Sequence, residues 1–305
     1  MADAAAVRGL TRYFGDHCVL NGVDLRLPVG SIYGLLGRNG AGKTTLIKIL
    51  LGFLRPTRGT ASLLGSPADR LPLAVRARVG YLAEGHHLYG SMTIDEHYRF
   101  TKPFYPRWSD DAYRRLLAYY ELQPKRRVGT LSRGQQAQVS LVLCLATQPE
   151  LLIMDDPTLG LDPAVRREFL DSMITLIQQE GRTILFSSHI LGDVERIADH
   201  IGIIEQGELL VDCPLATLQE RVRCVTMTFA GEPPAGMDVP ELLAVRRVER
   251  TLHLTVTRYD ADLHARLAML QPATLEVQQM NLEEIFLAYT SDYRRLAQQR
   301  SAACL

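Results

Sequence analysis

Gly37-Arg38-Asn39-Gly40-Ala41-Gly42-Lys43-Thr44 carries glycines, a lysine and a hydroxyl at the spacing G-x-x-x-x-G-K-[ST], an order of residue types that cradles nucleotide phosphates. Without a Cβ, Gly37, Gly40 and Gly42 let backbone N–H groups close on the anion and allow the positive φ angles of a tight wrap. Asn39, Ala41 and Thr45 complete the lining. Lys43 can reach the β- and γ-phosphates, Thr44 offers a hydroxyl to Mg²⁺, and a helix starting behind the loop adds its partial positive charge. Asp155, at the end of the apolar run Leu151-Leu152-Ile153-Met154, is suited to hold Mg²⁺ through a water molecule. Ser132 and Gln135 have capping-box spacing, so that segment opens a helix whose N-terminus faces an anion.

These groups need elements to hold them. Ile32 to Leu36 reads as a buried strand before the loop, and Thr45 to Phe53 as the helix behind it. Val19-Leu20 and Val23 to Leu27 read as strands joined by a two-residue hairpin at Asn21-Gly22. Val79 to Leu82 forms a further strand that leads into a polar loop with Glu84, and the stretch from about 92 to 146 is mainly helical. Leu151 to Met154 is too short for a helix and reads as a buried parallel strand. A helix over Pro163 to Gln179 and a strand over Thr183 to Ser188 follow, the strand ending at His189. Such alternation predicts an α/β domain with a mostly parallel sheet and ligands beyond the strand ends. Near Val222 the rhythm changes. Val225, Met227 and Phe229 alternate with threonines, Leu252, Leu254 and Val256 alternate with polar residues, and a final helix opens at Asn281 with Glu284 at capping distance. Residues 222–305 are therefore expected to form a small α+β appendage.

Composition sets the outer limits. The chain is 47% hydrophobic and 22% charged, with Lys+Arg and Asp+Glu at 34 each, so net charge gives no argument for a nucleic-acid partner. Five cysteines without a C-x-x-C pair fit reduced cytosolic thiols. The first residues lack a signal-peptide pattern, and no run reaches the roughly 18 to 20 apolar residues that span a bilayer.

Leu131-Ser132-Arg133-Gly134-Gln135 resembles the Leu-Ser-Gly-Gly-Gln signature of ABC-type ATPases. The order of phosphate loop, Glu84 loop, signature, Asp155-Asp156-Pro157, Gly160-Leu161-Asp162 and His189 matches that family over about residues 5–220. The resemblance implies a P-loop NTPase fold with an N-terminal antiparallel β subdomain and a helical signature subdomain at about 92–146, within an ATP-binding domain at 1–221. It implies ATP and Mg²⁺ as ligands, the metal held by Thr44, Asp155 and Glu84. Asp156 stands where the family has its catalytic carboxylate, His189 resembles the switch histidine at the γ-phosphate, and Phe14 matches the adenine-stacking aromatic, with Tyr13 as a rival. Ser132 and Gly134, with Gln135, imply action on nucleotide held by a second subunit, and Asp162 resembles the acid that communicates between the two sites.

The implied protein is the ATPase subunit of a two-component transporter, most like exporters with a C-terminal appendage. It would be a dimer, cytoplasmic, and peripheral on the inner face of the membrane through a separate polytopic permease. A regulatory clamp with slow hydrolysis, and a soluble ABC ATPase acting on nucleic acid or ribosomes, are the alternatives. Three positions depart from the pattern. Arg133 replaces a signature glycine, Glu84 replaces the loop glutamine as in several exporter-type relatives, and Asp156 replaces the usual glutamate. A positioning group displaced by about 1 Å can cost on the order of 10²-fold in rate, so Asp156 predicts either slow hydrolysis or a backbone that compensates for the shorter acid; where reach is the deficit, Asp156→Glu keeps or raises kcat. His86-His87 lacks the accompanying ligands of a metal site.

Overall fold

Two strands of 12 residues open the computed structural model, which describes residues 3–178, 182–234, 236–237 and 239–291. β1 (Asp3–Phe14) and β2 (His17–Pro28) pair antiparallel around Gly15-Asp16, with Phe14 opposite His17. β3 (Ile32–Leu36) and α1 (Lys43–Leu50) follow, and β4 (Arg58–Leu63) with β5 (Ser66–Pro67) completes a four-stranded sheet in the order β2-β1-β4-β5.

The expected hairpin at Asn21-Gly22 is not there: both residues lie inside β2. The pairing slips between Arg12↔Leu20 and Leu10↔Val23, and Gly22 has φ +62°, so the dipeptide forms a bulge. A positive φ serves a bulge as well as a type I′ turn. Tertiary contact decides between them here, since the Asn21 N–H donates to the Gly207 carbonyl at 2.9 Å and its side-chain amide to Glu208 at 2.7 Å.

After α2 (Leu73–Arg76), β6 (Val79–Leu82) leads to the helical part, α3 (Ile94–Thr101), α4 (Asp110–Tyr119) and α5 (Arg133–Ala146). Helix starts there are chemically marked. Thr93 with Glu96 and Ser132 with Gln135 form complete capping boxes, and the Ser109 hydroxyl accepts from Ala112 N–H. β7 (Leu151–Asp155), α6 (Pro163–Gln178), β8 (Thr183–Ser188), α7 (Leu191–Ile197), β9 (His200–Glu205) and β10 (Glu208–Pro214) complete a six-stranded sheet, β10-β9-β3-β8-β7-β6. β9, β3, β8, β7 and β6 run parallel. Every residue of β7 and β8 is buried, as expected of strands covered on both faces.

This first unit ends at Asp212 and a second begins at Cys213, ahead of the boundary expected at 222. The reason is α8 (Leu215–Arg221): the Arg221 carbonyl accepts from Tyr259 N–H at 2.9 Å, which ties the helix to the second unit. That unit holds β11 (Arg223–Thr228), β12 (Leu242–Val248), β13 (Thr251–Val256), α9 (Ala261–Ala268) and β14 (Thr274–Gln279), with strand order β12-β13-β11-β14. Val225, Met227, Leu252 and Leu254 pack with Leu263 and Leu267 of α9, the face predicted by their alternation. A helix described over 282–291 starts as expected, with Asn281 and Glu284 each accepting the other's backbone N–H at 2.9 Å.

Candidate functional site

The parallel sheet brings four strand ends to one place. β8 lies between β3 and β7, and β6 flanks β7. The phosphate loop leaves β3, Asp155 closes β7, Ser187 and Ser188 close β8, and Glu84 follows β6. His17, Val19, Arg38 to Thr45, Glu84, Asp155, Asp156 and Leu159 surround a cavity of about 550 Å³.

Inside the loop, Gly40 and Gly42 have φ of +82° and +107°, conformations that side chains rarely adopt. A Cβ on Gly42 would lie 2.9 Å from the Val19 carbonyl and 2.7 Å from Leu20, so glycine is needed there twice over. Lys43 is 7% exposed, and its Nζ donates to the carbonyls of Gly37 at 2.7 Å and Arg38 at 3.2 Å. Burial pulls the ammonium pKa down, while Asp156, Asp155, Glu84 and Glu205 act to keep it charged.

Opposite the loop, Asp155 Oδ1 accepts from the Thr44 hydroxyl at 3.1 Å and from the Ser187 hydroxyl at 2.8 Å. Its Oδ2 is buried with no hydrogen-bond partner. Such an oxygen beside a hydroxyl fits a hard cation such as Mg²⁺, since a buried carboxylate oxygen left alone is costly. Asp156 is 6% exposed, with φ +46°, and its N–H donates to Ser187 Oγ at 2.9 Å. Its Oδ2 lies 2.6 Å from His189 Nδ1, and its Oδ1 is buried without a partner. Because an ionised carboxylate only accepts, the His189 proton in this bond sits on Nδ1.

Other predicted residues lie elsewhere. Ser132, Gly134 and Gln135 are not among the groups that line this cavity. Gly134 serves packing, because a Cβ there would run into Val165 of α6. The Arg133 Nη1 lies 3.1 Å from where a Gly160 Cβ would be, so the departing arginine reaches toward the Gly160-Leu161-Asp162 loop. Asp162 caps α6, its Oδ1 accepting from the N–H groups of Ala164 and Val165, both at 3.1 Å. Phe14 is 44% exposed, covered on one face by the Arg12 guanidinium at 4.5 Å. The β-subdomain side of the cavity is lined instead by His17 and Val19.

Sequence reading missed Ser187, which bridges Asp155 and the Asp156 backbone, and Asp193. The latter is buried, accepts from the Thr158 hydroxyl at 3.0 Å, and pairs with Arg166 at 3.4 Å. Burial raises its pKa, against the hydrogen bond from Thr158 and the charge of Arg166. A hydroxyl next to the predicted strand end was the available signal for Ser187; Asp193 had none beyond its place after His189.

Residues 20–159 match the family described as ABC transporter. The chain is 32% identical over 292 residues to Nod factor export ATP-binding protein I of Burkholderia lata, covering 93% of this chain and 95% of the relative. It is 35% identical over 216 residues to the bacitracin transport ATP-binding protein BcrA of Bacillus licheniformis, covering 70% and 71%. A solved ATP-binding subunit of an ABC transporter superposes with a TM-score of 0.63 at 31% identity, over 71% of this chain and 92% of the other. Likeness that runs almost end to end on the Burkholderia protein shows that the chain belongs to the ABC transporter ATP-binding proteins, an ATP-hydrolysing family.

Proposed function

We propose that this ATPase subunit drives a separate membrane-spanning permease, in the direction of export, by closing head to tail on a second copy when ATP is bound. The observation that carries the dimer is the position of the signature. Ser132 caps a helix N-terminus suited to an anion, yet Ser132 and Gly134 are absent from the lining of the chain's own phosphate cavity. A second subunit would bring its phosphates to them. Export and the permease rest on the relatives named for Nod factor export and bacitracin transport. No described helix is long and apolar enough to cross a membrane; in this reading the crossing belongs to the permease. Attachment to that chain would hold the subunit at the inner face of the membrane.

In this reading Lys43 and the loop N–H groups hold the β- and γ-phosphates, and Asn39 to Thr45 fix their orientation. Thr44 and Asp155, with Glu84 at the cavity wall, would hold Mg²⁺, which would neutralise phosphate charge there. Asp156 orients the attacking water through Oδ1, and His189, held by Asp156 through Nδ1, keeps its other ring nitrogen for the γ-phosphate. Phosphoryl transfer asks for this positioning rather than for covalent chemistry by the protein.

Mg-ATP is expected to convert monomers to dimers in His189→Ala or Asp156→Asn, where hydrolysis is blocked, and Ser132→Arg should prevent it. Sizing by light scattering reads the change. If neither blocked variant associates with ATP, alone or with the permease, the head-to-tail reading is wrong.

A further inference from the structure

His86, next to His87 in the sequence, lies outside the chemistry above. Its ring is buried and its backbone has φ +47°. His86 Nε2 lies 2.8 Å from the carbonyl oxygen of Pro157, the residue after Asp156. A carbonyl only accepts, so Nε2 carries a proton and donates it. Nδ1 is buried with no partner, which fits a neutral ring, and burial pulls the ring pKa down in the same sense. The ring also meets Phe169 of α6 edge-on, with centroids 6.4 Å apart.

Three other polar groups of the turn after β7 have holders of their own. Asp156 N–H donates to Ser187 Oγ, the Asp156 carbonyl accepts from Leu159 N–H at 3.1 Å, and the Thr158 hydroxyl donates to Asp193. Among the described residues, the Pro157 carbonyl is held by His86. Proline has no N–H and fixes its own φ, so that carbonyl is the handle by which residue 157 can be oriented. Asp156, immediately before it, sits in a left-handed conformation that an L-residue keeps only when its surroundings enforce it. His86 is also two residues beyond Glu84, and with Leu88, Tyr105 and Cys144 it lines a groove of about 210 Å³.

We propose that His86 is a positioning residue for ATP hydrolysis: by donating to the Pro157 carbonyl it holds the left-handed turn that presents Asp156 to the attacking water, and links that turn to the Glu84 loop. The inference rests on the reading of Asp156 as the water-orienting acid. It asks for the Nε2–H donor, not for the bulk of the ring.

His86→Phe keeps an aromatic ring against Phe169 and removes the donor, whereas His86→Gln supplies an N–H at similar reach. In the purified full chain, and in the permease complex, His86→Phe is expected to lower kcat about tenfold or more, in line with the cost of misplacing a reacting group. KM for Mg-ATP and ATP-driven dimerisation should stay near the parent's, and His86→Gln should restore most of kcat. A parental kcat in His86→Phe overturns the proposal, as does equal loss in both variants, which would mean that the ring acts by packing. Asp156→Asn is measured alongside. If it is inactive while His86→Phe is normal, only this inference fails; if it turns over like the parent, the reading of Asp156 fails as well.

Discussion

Lys43→Ala is expected to lower kcat/KM for ATP by on the order of 10³-fold, the scale set by removing a preorganised charge from a transition state. Lys43 is held by two loop carbonyls and is 7% exposed, so its ammonium is aimed before substrate arrives and spends little on reorganisation. It is also the cation toward which Asp156, Asp155, Glu84 and Glu205 all act. Removing it leaves several acids facing a tetra-anionic ligand, and that repulsion adds to the lost attraction. Nucleotide-dependent stabilisation should vanish with it, since a ligand that no longer binds the native state no longer raises Tm. The unliganded protein should melt near the parental temperature, because burial already disfavours this charge. Turnover equal to the parent's would withdraw the phosphate-loop assignment.

The readable parts of the molecule are those whose physics is local or periodic. Phosphate binding needs consecutive N–H groups and one lysine, so Gly37 to Thr44 announces itself in eight residues. β7 and β8 are legible because strands buried on both faces are runs of apolar residues bounded by polar ends. The caps at Ser132 and Asn281 are likewise written within four residues of sequence. What escaped depends on pairs brought together only by the fold. Asn21-Gly22 has the local chemistry of a hairpin, but its conformation is decided by Gly207 and Glu208, far along the chain. His86 and Pro157 are 71 residues apart, and Thr158 and Asp193 are 35 apart. Neither spacing follows a period that a strand or helix could betray. Gly134 and Asp162 carry a second meaning for the same reason: one makes room for Val165 and the other caps α6. Those duties coexist with the roles proposed toward a second subunit, and substitutions there will mix the two effects.

Asp156 is a further position where the structure changes an expectation from sequence. A carboxylate one methylene short suggested that Asp156→Glu would regain reach and keep or raise kcat. Instead, the short acid is already engaged: its Oδ2 is 2.6 Å from His189 Nδ1, its N–H is bonded to Ser187, and it is 6% exposed. Its φ of +46° is tolerated by Asp and Asn better than by longer side chains. An added methylene in that space has to displace His189 or turn the acid away from the water. Asp156→Glu is therefore expected to lower kcat about tenfold, and Asp156→Asn to lower it by on the order of 10²-fold or more while ATP stays bound, as positioning and proton-accepting groups require. Because Asp156 and His189 form one hydrogen-bonded unit, Asp156→Asn combined with His189→Ala should cost little more than the larger single loss. Single-turnover hydrolysis in the parent and these four variants measures this directly. A rise in Asp156→Glu would mean that reach was the deficit after all, and fully multiplicative losses in the double variant would mean that the acid and the histidine act on the phosphate independently.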